Sequence, residues 1–439
     1  MAIETERVVI LGVFQTEGAV KGDEYRFDRS MTELDALVSA CEMEPVGMVT
    51  QQLPQINKAT YIGTGKLSDM RTRTEELCGT LCVVNDALTP TQLRNLQQEL
   101  KLPVMDRTAL ILEIFKKRAR SREAKLQVEL ARLQYLKPRL IGMWETQNRQ
   151  GGASGAMSSK GEGETQLELD RRQIDHRLAE LRRELKVVER ERETQRKRRR
   201  KSRLPLVSLI GYTNAGKSAI MNAMLSMYGT DSPARDEKQV FEENMLFATL
   251  DTSVRKICTG NNKDFMLSDT VGFVSKLPTA LVEAFKSTLE EVTEADLLLH
   301  VVDYSDADYR EHMEVTDKMV RELGAGHIPV IYVYNKADAC FPKTEYPRKG
   351  AEVRETSKSL YMCAREKSSI KLLAEMITEE VYGDYEEAVF LIPYDRGSVT
   401  SFLQQNSLIL SAEYKENGTL LRTKCHRADL DKFREYLVK

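Results

Sequence analysis

Gly211-Tyr-Thr-Asn-Ala-Gly-Lys-Ser218 decides the reading of this chain. It follows the apolar, partly β-branched run Leu206–Ile210, which reads as a buried strand. It precedes Ala219–Leu225, which continues as a helix. The eight residues fit G-x-x-x-x-G-K-[ST], and strand–loop–helix is the context that a phosphate-binding loop requires. Glycines let the backbone curl so that its N–H groups face phosphate oxygens, and the helix adds the positive end of its dipole. Gly211, Asn214, Ala215, Gly216, Lys217 and Ser218 are therefore candidate nucleotide-binding residues. Lys217 would reach the β- and γ-phosphates, and the Ser218 hydroxyl would hold Mg²⁺.

Three more stretches follow in order. Asp269-Thr-Val-Gly272 comes after the apolar Phe265–Leu267. A strand-end aspartate can hold Mg²⁺ through water, and the Gly272 N–H can bond a γ-phosphate. Asn335-Lys336-Ala-Asp338 closes the strand Val330–Tyr334. A carboxylate at Asp338 accepts from both N1–H and the exocyclic amine of guanine, whereas adenine offers an acceptor there and would leave it unpaired. Tyr361-Met-Cys363-Ala364-Arg365 stands where guanine-binding sites carry Ser-Ala-Lys, with cysteine in place of the serine. The set predicts a guanine-nucleotide switch domain that takes GTP or GDP with Mg²⁺. A switch threonine between the phosphate loop and Asp269 is expected at Thr249, with Thr252 as the alternative, to sense the γ-phosphate and complete the Mg²⁺ shell. Phe273 follows Gly272 where many small GTPases carry a glutamine that orients water, so turnover by the chain alone is expected to be slow. Asn214 is a candidate for holding K⁺ near the β/γ-phosphates, or for satisfying the loop backbone.

The 439 residues suffice for about three domains at the usual 100–200 residues each. With 41% hydrophobic and 30% charged residues the chain can build packed cores and remain in solution. The net charge of −2 hides an uneven distribution. No apolar run approaches the roughly 18 residues of a membrane span, and the N-terminus lacks a signal pattern. Seven scattered cysteines fit a reduced compartment, and Cys78 with Cys82 has no histidine nearby to suggest a metal. A cytoplasmic monomer is expected, with no membrane association.

Residues 1–118 alternate strand-like and helix-like runs: Val8–Val13, a helix capped by Ser30, Val46–Thr50, Thr60–Lys66 as strand into helix, Leu81–Val84, a helix opened by Thr89-Pro90, and Val104–Asp106. This predicts a small parallel α/β sheet. Gly63-Thr-Gly-Lys66 is too short for a phosphate loop and reads as a βα turn. In residues 119–203, Leu126, Leu130 and Leu133 line one helix, and Leu167, Ile174, Leu178, Leu181, Leu185 and Val188 a second. The two stripes predict an antiparallel helical hairpin. Its tip, residues 150–163, holds five glycines and three serines and reads equally as ornament or as a functional probe. The second helix ends at residues 196–203 with seven basic residues in eight positions. An unbroken block of one sign needs counterions, and a phosphate backbone supplies them; an import-type signal or an anionic membrane surface would also fit. Residues 204–382 form the GTPase domain on a mostly parallel sheet, and 383–439 a small α+β domain. The whole is an α/β multidomain chain.

Over nearly its full length the sequence resembles the HflX-type ribosome-associated GTPases. The resemblance rests on Tyr61-Ile-Gly-Thr-Gly-Lys66, Asp106-Arg-Thr-Ala-Leu-Ile111, Arg118–Gln127, Gly163-Glu-Thr-Gln166, the phosphate loop, Phe247-Ala-Thr-Leu-Asp251, Asp269–Phe273 and Leu281–Glu290. It implies a GTPase that binds the large ribosomal subunit and its rRNA, splits stalled or idle ribosomes, and reaches the peptidyl transferase centre with its hairpin loop. It also favours the probe reading of the tip. The family's usual loop is shorter and ends Arg-Gly-Pro-Gly-Glu. Here Ala156–Ser159 looks inserted, Lys160 stands for the arginine and Glu162 for the proline. In this the chain is similar to long-loop variants associated with resistance to large-subunit antibiotics. The competing classes are a GTP-dependent RNA-modification or ribosome-assembly factor, which would want a second catalytic constellation, and a membrane-recruited signalling GTPase, which would want a lipidation site.

Overall fold

The computed structural model describes residues 5–150, 159–201, 204–229, 253–260, 263–274, 276, 291–350, 358–383 and 385–438. The chain clusters into two compact units, the first built mainly on Met1–Glu191, the second on Arg192–Glu242, Thr252–Phe273 and Thr288–Lys439.

The first unit begins with β1 (Arg7–Gln15), α1 (Asp23–Ala40), β2 (Glu44–Leu53), α2 (Thr64–Glu76), β3 (Leu81–Val84), α3 (Pro90–Leu100), β4 (Val104–Asp106) and α4 (Arg107–Arg118). Its four strands pair in parallel in the order β2-β1-β3-β4, as the alternation of patterns predicts. Val8–Leu11 and Cys82–Val84 are fully buried, as expected for central parallel strands covered on both faces.

Two local expectations fail. Ser30 lies inside α1 rather than capping it; the helix starts about two turns earlier, entered through Gly22 at φ 106°. Phe27 gives the reason, since its ring packs 5.7 Å from Phe14 and extends the apolar face upstream. Ser30 Oγ instead donates to Asn85 Oδ1 at 3.1 Å. Thr60–Ile62 forms no strand. Tyr61 has φ 65° and makes only an isolated bridge with Asn57, whose Oδ1 accepts from the Ala59 and Thr60 N–H groups. Gly63 is the extended N-cap of α2, so Gly63–Lys66 is a turn into a helix.

Then come α5 (Arg122–Gln150) and α6 (Ser159–Lys201). Leu126 and Leu130 pack with Leu178 and Leu181. The ion pairs Arg122–Glu184, Glu129–Arg177 and Lys137–Asp175 step in opposite directions along the two helices, so the hairpin is antiparallel. Its base is fixed at Asp106, which is fully buried. That carboxylate accepts from Leu88 N (3.0 Å), Ala109 N (2.8 Å), the Tyr135 hydroxyl (2.9 Å) and Arg139 (3.0 Å), tying β4 and α4 to α5. Tip residues 151–158 lie outside the described residues, as do 202 and 203 of the basic block.

The second unit carries β5 (Leu206–Gly211), α7 (Lys217–Tyr228), β6 (Ser253–Ile257), β7 (Phe265–Asp269), β8 (Leu297–Asp303), α8 (Tyr309–Glu322), β9 (Val330–Asn335), β10 (Arg348–Lys349), β11 (Lys358–Tyr361) and α9 (Lys367–Val381). Seven strands form one sheet, β10-β11-β9-β8-β5-β7-β6, parallel except where β6 and β10 join at its edges. One apolar cluster joins α7 and α9 to Val207, Leu209, Leu299 and Val333; another sets Val320 of α8 against Ile210 and Leu298. The chain ends in β12 (Tyr385–Ile392), α10 (Gly397–Asn406), β13 (Leu408–Lys415), β14 (Gly418–His426) and α11 (Arg427–Lys432), with the antiparallel order β12-β14-β13.

Candidate functional site

The candidate residues meet at the carboxyl ends of β5, β7, β8 and β9, where parallel sheets open crevices to ligands. Strand β5 is held between β7 and β8, and its last residue, Gly211, opens the loop. Asn214 is exposed at φ 60°, a left-handed conformation that asparagine tolerates. Gly216 has φ 96°, and a Cβ there would lie 2.2 Å from Asn335 Nδ2, so no other residue fits. Helix α7 starts at Lys217 with Gly216 as N-cap and no side-chain cap, which leaves its first-turn N–H groups facing the loop.

Lys217 is 6% exposed. Its Nζ donates to the Gly211 and Tyr212 carbonyls at 3.1 and 2.7 Å. Burial pushes its ammonium down to about 8, and the Asp269 carboxylate opposes this in part. Ser218 Oγ donates to Asp269 Oδ2 at 2.8 Å, so the hydroxyl and carboxylate expected to share Mg²⁺ are within one hydrogen bond of each other. A hard-oxygen donor pair of this kind suits that ion.

The segment after β7 is laced to the phosphate loop. Thr213 N donates to Phe273 O at 2.8 Å and Phe273 N to Gly211 O at 3.1 Å. Gly272 passes so close that a Cβ would lie 2.9 Å from Lys217 Nζ and from Thr213. Phe273 is read as a catalytic-position residue because it cannot hold water, and its ring is 2% exposed, packed with Ile210, Val292 and Leu298. It anchors the segment in that apolar cluster. Thr249 and Thr252 lie outside the described residues.

On the base side, buried Asn335 donates from Nδ2 to Ala215 O (2.9 Å) and accepts at Oδ1 from Ala364 N (3.0 Å). One amide thus joins the phosphate loop to the loop after β11. Lys336 stands at φ 60°, its Nζ 2.6 Å from Asp303 Oδ2. Asp338 is exposed at the mouth of the site, in the 3-10 turn Ala337–Ala339. Cys363 N donates to Ser369 Oγ at 3.2 Å; burial, then hydrogen bonding to Asp338, pushes its thiol up. Cys363 thus stands beside Asp338, at the position where guanine-binding sites carry serine. Tyr212, Asp303 and His312 also belong to the site and are not among the residues expected from sequence. Asp303 ends an apolar run, a weak signal; no local pattern marks the other two.

Three family profiles match the chain in order: "GTP-binding GTPase N-terminal" over residues 28–116, "GTP-binding GTPase Middle Region" over 118–199, and "50S ribosome-binding GTPase" over 206–336. The chain is 38% identical over 438 residues to GTPase HflX of Caldanaerobacter subterraneus subsp. tengcongensis, covering 100% of this chain and 95% of that one. It is 44% identical over 308 residues to GTPase HflX of Magnetococcus marinus, covering 70% and 68%. Among solved structures, a GTP-binding protein of Sulfolobus solfataricus in complex with GDP aligns with a TM-score of 0.42 at 23% identity, over 86% of this chain and 99% of that chain.

Proposed function

This chain belongs to the HflX family of GTPases, and from that premise we propose that it uses GTP to engage the large ribosomal subunit and split ribosomes. The observation that carries the nucleotide half is the meeting of Lys217, Ser218–Asp269 and Asn335–Ala364 at one end of the parallel sheet. Asp338 and Cys363 read guanine, and Lys217 with the first turn of α7 holds the β- and γ-phosphates. Ser218 and Asp269, completed by Thr249, would hold Mg²⁺, which supplies positive charge against the phosphate oxygens. The Gly272 N–H answers to the γ-phosphate, and Asn214 is positioned at the loop for K⁺. With Phe273 turned into the core, no side chain at that position orients water, so hydrolysis is slow until the ribosome contributes.

What supports the ribosomal half is the hairpin and its basic end. Two zipped helices flank a Gly-rich tip in the sequence, and residues 196–203 suit rRNA phosphate. The protein works in the cytoplasm as a monomer; among the described residues no helix is long and apolar enough to cross a membrane. Co-sedimentation of the full chain with purified large subunits tests the proposal. More protein should pellet with a non-hydrolysable GTP analogue than with GDP, and equal recovery in both would overturn it. The long tip extends the reading to displacement of drugs bound at the peptidyl transferase centre. Removing Ala156–Ser159 should reduce drug protection and leave splitting largely intact; undiminished protection would take the tip out of resistance.

A further inference from the structure

Tyr212 occupies the second position of the phosphate loop, where the motif tolerates any residue. Its ring is buried and lies parallel to the imidazole of His312, with centroids 3.9 Å apart and planes within 9°. His312 sits in the first turn of α8, 100 positions further along the chain. The backbone of Tyr212 is where the phosphate machinery converges. Its carbonyl accepts from Lys217 Nζ at 2.7 Å and from Ala215 N at 3.4 Å, and it forms the bridge to Phe273. The ring stack therefore pins the residue on which the loop's curvature, the phosphate-reaching lysine and the γ-phosphate segment all depend.

His312 is itself held in place. Its N–H donates to Asp308 O (3.1 Å), Asp308 N to Asp306 Oδ1 (3.0 Å) and Asp306 N to Asp303 O (3.3 Å). Asp303 in turn grips Lys336 Nζ at 2.6 Å. The Asp306 carboxylate also lies 3.9 Å from His312 Nδ1. One short stretch, residues 303–312, thus touches the base-reading loop at one end and the phosphate loop at the other.

We infer that His312 is a positioning residue for GTP and GDP binding, acting through Tyr212 to keep the phosphate loop in its binding curvature. The contacts the stack steadies, Lys217 Nζ and Ala215 N–H on the Tyr212 carbonyl, belong to the loop that GDP and GTP share. Loss of the stack should therefore weaken GDP and GTP alike and leave the chemical step nearly untouched.

The test compares wild type with His312→Ala and His312→Phe in the full-length chain, using a fluorescent GDP analogue for dissociation rates and steady-state assays for KM and kcat. His312→Ala should release GDP about three- to tenfold faster, the range expected for losing one aromatic pair. It should raise KM by the same factor, with kcat within about twofold. His312→Phe, which keeps a flat ring, should restore both. The inference is overturned if KM and release are unchanged in His312→Ala, if kcat falls instead, or if His312→Phe is as impaired as His312→Ala. Should His312→Ala fold poorly, NMR of ring-labelled histidine in the wild-type chain decides. The His312 signal should lie upfield of its position in Tyr212→Leu and move when GDP is added; a signal indifferent to both would reject the stack as part of the site.

Discussion

In the proposed reading, Asp338 and Lys217 make separable demands on the nucleotide. Asp338→Asn exchanges a double acceptor for a group that must present a donor to one guanine N–H, leaving polar atoms unpaired at a cost of about 1–3 kcal/mol or more. Competition against labelled GDP should show guanine preference falling and xanthine nucleotides gaining; unchanged selectivity would remove Asp338 as the base reader. Lys217 makes a pH prediction. Burial sets its folded value near 8 against 10.5 for the free side chain, whereas phosphate oxygens beside it favour the charged form. Between those values the folded chain binds fewer protons than the unfolded one. The cost of burying the ammonium thus acts in full below pH 8 and is relieved as pH rises towards 10.5. For nucleotide the sign is opposite. Above pH 8 binding must take up a proton, so GDP affinity should fall by up to about tenfold per unit, with proton uptake visible in calorimetry across buffers. Affinity flat from pH 7 to 9.5 would contradict this. The loop Gly211–Ser218 was legible because a phosphate loop constrains consecutive backbone positions, and spacing records that constraint. The pairs Tyr212–His312 and Asp303–Lys336 join residues distant in sequence through chemistry that leaves no periodic trace.

At the scale of elements, the best-read parts are those with a local cause. Thr89 caps α3 with a complete capping box: its hydroxyl accepts from Gln92 N (3.2 Å) while Gln92 Oε1 accepts from Thr89 N (3.0 Å). Thr89→Ala should cost about 1 kcal/mol in denaturant titrations. The hairpin is the same kind of case, since its leucine stripes bury against each other. Leu181 is fully buried there, and Leu181→Ala should cost roughly 2–5 kcal/mol and loosen α5 from α6 before the sheets melt. Hydrogen exchange on the two helices would register it; unaltered protection would mean the stripe contributes little. What was illegible at this scale was set by tertiary contacts. Ser30 looks like a cap until Phe27 is seen on Phe14, and Thr60–Ile62 looks like a strand until Asn57 folds it into a turn. Both follow a rule of local propensity that the surrounding structure overrides.

For the molecule as a whole, charge and leverage matter most. If residues 196–203 lie on rRNA phosphate, neutralising several of them should lower the slope of log affinity against log salt by roughly 0.7–0.9 for each phosphate no longer paired with a cation. Parallel salt curves for variant and wild type would place the block elsewhere. The order of sheets and hairpin could be read from composition and periodicity, because each segment buries its own apolar face. The division into two compact units could not, since it depends on how remote segments pack together. Asp106 carries one more consequence. It grips α5 near Tyr135 and Arg139, and from there to Gln150 the helix projects roughly 20 Å at about 1.5 Å per residue. The hairpin is therefore a lever, and Asp106 is where it is aimed: a pivot error of about 5° displaces the far end by about 2 Å. Tyr135→Phe, which removes one of the four donors, should broaden the distance distribution between spin labels at Lys116 and Gln150 and leave GDP affinity alone. A mutation at the pivot would thus act as a loss of pointing accuracy, felt far from the side chain that changed.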